Sequence, residues 1–74
     1  MELNTHALFA AAVHLYTWQH YGGDNFHSIL FRLIAKADAL SVNALRKGFP
    51  YEVSVYYEWF NSETPETFYK KYGL

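Results

Sequence analysis

Apolar residues recur at helical spacing along nearly the whole chain, and the breaks between them carry helix-boundary residues. From Thr5 to about Tyr21, Leu8, Ala11, Ala12, Leu15 and Trp18 fall on one broad side at about 100° per residue. Phe9, Val13 and Tyr16 widen that side, and His6, His14 and Thr17 leave only a narrow polar strip. This first helix is therefore expected to be covered on more than one side. Asn4 or Thr5 can cap its start, and Gly22-Gly23 stops it, because glycine readily adopts the left-handed conformation past a helix end. In the second helix, which Asp24 or Asn25 can cap, Phe26, Ile29, Leu30, Leu33, Ile34 and Ala37 form the stripe expected to face the core. Ser28, Arg32 and Lys36 lie across from it, and Phe31 lies off it.

A short third helix is expected with Ser41 as N-cap, Leu45 as anchor and Gly48 beyond its end. Phe49-Pro50 marks the next boundary, since a residue before proline is pushed out of the α region while proline suits the first helical position. The fourth helix is apolar on two sides: Val53, Tyr56, Tyr57 and Phe60 form one set, and Tyr51, Val55 and Trp59 the other. Thr64-Pro65-Glu66 opens a terminal turn or two through Tyr72, with Lys70 and Lys71 near the negative helix end and Gly73 as terminator. The expected fold is an all-α, compact bundle of four to five short helices, a single domain over residues 1–74.

Two tryptophans, seven tyrosines and six phenylalanines are many rings for 74 residues. A chain this small buries only about 60% of its unfolded surface, and each ring has about 150–250 Å² to bury. Some ring surface is expected to stay open and to mark a contact face. Phe26, Phe49, Tyr56 and Phe60 follow core periodicity. Tyr51, Val55, Trp59 and Phe31 lie off the main stripes and are the candidate partner-binding residues, Trp and Tyr being the usual anchors of protein interfaces. The competing reading is that the fifth helix folds over the second side of the fourth.

The absence of cysteine excludes disulfides, thiolate zinc sites and thiol catalysis, and suits a cytoplasmic location. Six basic and seven acidic residues give a net charge of −1, without the basic surplus of a typical nucleic-acid binder. Leu3 to Gly23 carries no formal charge, but its asparagine, threonine, glutamine and histidine residues disfavour a bilayer span. The N-terminus lacks the basic region of a signal peptide.

Chemistry-bearing residues are dispersed. His6 and His14 are eight residues apart, and His14 and His20 six apart on diverging faces, so neither pair has the i, i+3 or i, i+4 spacing of helical metal ligands. His20, Asp24 and His27 flank the Gly-Gly turn and can converge if the hairpin closes; the alternative is that they serve as polar groups of helix ends and turn. Ser28, Ser41, Ser54 and Ser62 lack a nucleophile-elbow context. Spacing does not force any two carboxylates to meet in a cleft. No enzyme activity, cofactor or metal is expected. Two basic pairs, Arg46-Lys47 and Lys70-Lys71, adjoin helix C-termini and would be the phosphate contacts if the chain binds nucleic acid, with Tyr69 and Tyr72 able to stack on bases.

Lys36-Ala37-Asp38, Asn43, Leu45, Gly48-Phe49-Pro50, Val53, Tyr56 and Trp59 form a pattern. In it the segment from Phe31 to Trp59 resembles small, largely uncharacterised helical proteins of phages and other mobile elements. That resemblance carries no catalytic residues. It implies a non-enzymatic interaction module that binds and modulates a larger host protein, such as a component of antiviral defence of the CRISPR-Cas effector kind. A nucleic-acid-binding accessory protein and a homodimer pairing through its apolar surface are the alternatives.

Overall fold

The structure, a computed structural model, describes residues 4–74; Leu3, where the uncharged stretch begins, and the N-terminal residues weighed as a leader lie outside them. Five helices follow one another, and no strand occurs among the described residues: α1 (Thr5–Tyr21), α2 (Phe26–Lys36), α3 (Ala39–Gly48), α4 (Pro50–Phe60) and α5 (Pro65–Lys71). The protein is an all-α bundle. No helix among the described residues is long and apolar enough to cross a membrane.

Most helix starts follow from side chains that satisfy the unpaired first-turn amides. Asn4 Oδ1 accepts from the Ala7 N–H at 3.1 Å, Asn25 Oδ1 from Ser28 N–H at 2.9 Å, and Thr64 Oγ1 from Thr67 N–H at 3.2 Å. The expected start of α3 is corrected. Asp38, not Ser41, is the cap: its carboxylate accepts the Ser41 N–H at 2.8 Å, and the helix begins at Ala39 and runs through Gly48. That bond also holds the Asp38 carboxyl below its ordinary range. α4 has no side-chain cap and opens on Pro50, whose missing N–H removes one donor that would need a partner. Between α1 and α2, Gly22 and Gly23 take φ of +64° and +104°, a region that side-chain-bearing residues rarely adopt.

α4 is the central strut, with α1, α2, α3 and α5 all packing against it. This explains its two apolar sides: Val53, Val55 and Tyr56 are all buried. The most extensive helix pair is α1 with α4, where Ala11, Ala12 and Leu15 are buried on α1. α5 closes the bundle by burying Phe68 and Tyr69, and the Tyr69 ring meets Tyr16 of α1 edge-on, centroids 5.0 Å apart.

Candidate functional site

The expected contact set on α4 is largely enclosed. Val55 and Phe31 are completely buried, which removes both as surface contacts; Tyr51 and Trp59 are partly buried and pack against the core. The covering of both sides of α4 accounts for Tyr51, Val55 and Trp59. The Trp59 ring lies against Tyr56 at 5.7 Å, and its indole N–H is buried.

Phe31 is inside because of how α2 is rotated about its axis. Ser28 Oγ donates to the Gly22 carbonyl at 3.2 Å, and Arg32 Nη2 donates to the Gly23 carbonyl at 3.1 Å and pairs with Asp24 at 3.2 Å. These contacts tie one flank of α2 to the turn behind it. Ser28, Leu30, Phe31 and Ile34 then face the interior, and Phe31 stacks on Trp18 of α1 with centroids 5.8 Å apart. Ile29 and Leu33 fall about 160° from Phe31 around the helix, and Phe26 about 140°. All three therefore point outward, with 59% of Phe26, 51% of Ile29 and 51% of Leu33 exposed. Half of the stripe expected to face the core thus faces solvent. Phe60, also expected inside, is exposed as the last residue of α4.

The outward stripe borders a groove. α2 and α3 both lean on α4 but have little contact with each other, because the two residues Ala37 and Asp38 turn the chain away from α2. One pocket of about 200 Å³ is lined solely by apolar residues: Phe26, Ile29, Leu30, Leu33, Leu45 and Phe49. Leu33 and Leu45 also line an adjoining open hollow of about 500 Å³, whose walls include Ala37 and Ala44 and whose polar edge carries Lys36, Asp38 and Ser41. Phe26 and Phe49 close the other end with ring centroids 5.8 Å apart. Beyond the groove, Leu40 in the first turn of α3 is 83% exposed. The sequence carried one signal for this face, a second helix apolar on opposite sides, visible as the unexplained Phe31.

The four candidate phosphate-contacting cations sit on two helices that flank α4. Arg46 lies over the Tyr57 ring, 6.0 Å from its centroid. Lys71 pairs with Glu58 at 2.9 Å, and that bond holds its ammonium above the ordinary range; the Tyr72 hydroxyl donates to the other Glu58 oxygen at 3.4 Å. Lys47 and Lys70 are exposed. Glu58, Lys71 and Tyr72 edge a further hollow of about 410 Å³ against Leu8 and Phe9, but there the charges neutralise one another.

Of the two readings of the histidines, polar groups of helix end and turn is the one the side-chain contacts support. His20, Asp24 and His27 do not converge: His20 Nδ1 lies 3.0 Å from the Tyr16 carbonyl one turn back, and Asp24 turns to Arg32. The ring that His27 meets is His14, stacked on it at 3.6 Å. Among the described residues no three His, Asp or Glu side chains are grouped to hold a metal ion. Compared with protein-family models, curated proteins and solved structures, the chain matches none, and its functional reading rests on the groove and on the residues around it.

Proposed function

We propose that this protein is a non-enzymatic interaction module that docks an amphipathic helix of a larger partner protein in the groove between α2 and α3. The observation that carries the reading is the outward apolar stripe of α2, Phe26, Ile29 and Leu33, set beside an all-apolar pocket. A chain with a limited core gains by burying Phe26, Ile29 and Leu33, yet hydrogen bonds to the Gly-Gly turn hold them outward. Phe26 to Leu33 spans about 10 Å along the helix axis at 1.5 Å per residue. That length suits two turns of a partner helix presenting apolar residues at i, i+3 or i+4 and i+7. Lys36 and Asp38 at the open end supply one charge of each sign, matching a partner whose apolar stripe is flanked by mixed polar residues. The resemblance to small proteins of phages and mobile elements makes a host protein, including a defence component, the partner class of this reading.

The test is affinity for a captured partner. Leu33→Ser and Ile29→Ser should each weaken binding by about 2 kcal/mol or more while circular dichroism stays unchanged. Tyr51→Ala should weaken it far less. Unchanged affinity in both groove variants would remove the groove as the docking surface. Self-association through the same face would instead appear in sedimentation as a concentration-dependent dimer abolished by Leu33→Ser.

A further inference from the structure

The imidazoles of His14 and His27 lie face to face, centroids 3.6 Å apart and planes 2° from parallel. His14 sits midway along α1 and is open to solvent, whereas His27, the second residue of α2, is half buried. The stack therefore joins the first turn of α2 to the body of α1, across the hairpin that Gly22 and Gly23 close. Phe26 stands edge-on to the His27 ring at 5.4 Å, and the same Phe26 ring forms one end of the groove.

Proton occupancy changes what this contact is worth. Two neutral rings stack, and a protonated ring on a neutral one gains from the charge facing a π system. Two imidazoliums at this distance repel, and even at the dielectric constant of bulk water the penalty on the second proton is about sevenfold. The charged groups acting on His14 are His27 from α2 and Glu52 from α4. Asp24 in the turn is engaged by Arg32, and His20, one turn and a half along α1, lies against Tyr16 and against Tyr69 of α5. Partial loss of water around the ring first, and then His27, hold His14 below its ordinary 6.5, while Glu52 works in the opposite direction.

We propose that the His14–His27 stack is a proton-sensitive clasp between α1 and α2, closed with no proton or one and opened by the second. Glu52 accommodates the first proton, and the second step adds a proton against the charge of the first. Opening moves the His27 ring that Phe26 stands against, so acid reshapes the Phe26–Phe49 end of the groove. The clasp opens and closes whether or not the groove docks a partner.

Imidazole carbon and proton shifts, followed by NMR from about pH 8 to pH 4.5, test it. In His27→Gln the His14 midpoint should rise by roughly half a pH unit or more, and in Glu52→Gln it should fall. In the unaltered chain, cross-relaxation between the two rings should vanish over the second step, together with a shift of the Ile29 methyl signals. His27→Phe keeps a ring in place that does not titrate, and should abolish that second-step shift. An unchanged His14 midpoint in His27→Gln, or ring–ring contacts that persist below the second step, would overturn the clasp.

Discussion

The orientation of α2 makes the sharpest quantitative prediction. Phe31 is completely buried and stacked on Trp18, whereas Leu33, two residues on, is half exposed. Truncating a buried phenylalanine to alanine costs about 3–5 kcal/mol, from lost transfer energy together with the cavity left behind. A core this small seldom supplies more than about 3–5 kcal/mol of net stability. Phe31→Ala should therefore be largely unfolded near room temperature. For Leu33→Ala, full burial of a leucine is worth about 1.5–3 kcal/mol. Only half of that is realised here, no enclosed cavity forms, and alanine is the better helix former. The expected loss is about 1 kcal/mol or less. Urea unfolding followed by far-ultraviolet circular dichroism measures both, and Phe31→Leu supplies a milder core variant whose midpoint can be read if Phe31→Ala has none. A Leu33→Ala loss equal to or larger than that of Phe31→Leu would refute the orientation and close the groove with it.

Other consequences are equally concrete. Gly22→Ala should cost about 1–3 kcal/mol through its positive φ alone, since no atom lies within 4 Å of an added Cβ; a neutral result by thermal melting would show that the turn relaxes. Trp59→Ala should lower stability by about 2 kcal/mol or more, as expected of a ring packed on the core, and a surface-like loss under 0.5 kcal/mol in urea would contradict that placement. Acid should destabilise in two stages. The folded state favours neutral His14, so this contribution is intact above about 6.5 and declines as pH falls below that value. The Asp38 carboxylate is favoured by its cap bond, so the start of α3 weakens only as pH falls below about 3.8. Urea midpoints that stay constant between pH 7.5 and pH 5 would contradict the histidine stage.

The helices and their boundaries were largely legible in the residues. Asn4, Asn25 and Thr64 cap as their types and positions imply, and Pro50 and Pro65 open helices where proline fits. Asp38 was legible too, since an aspartate three residues before Ser41 is as good a cap as serine. The candidate site was not. Periodicity shows two apolar sides on α4 and a single stripe on α2 with Phe31 off it, but not which neighbour covers which side. For α4 that is decided by α1, α2, α3 and α5 closing around it, and for α2 by Ser28 and Arg32 bonding to the Gly22 and Gly23 carbonyls. Both are tertiary contacts that spacing along one helix does not encode. The His14–His27 stack depends on the same hairpin closure.

A photo-reactive phenylalanine analogue tests the docking groove most directly. Placed in turn at Phe26, Leu33, Tyr51 and Trp59 and irradiated in the cell where the chain acts, it should form a cross-linked adduct with one partner from Phe26 and Leu33. It should form little from Tyr51 or Trp59. Adducts from Tyr51 and Trp59 with none from the α2 positions would contradict the account.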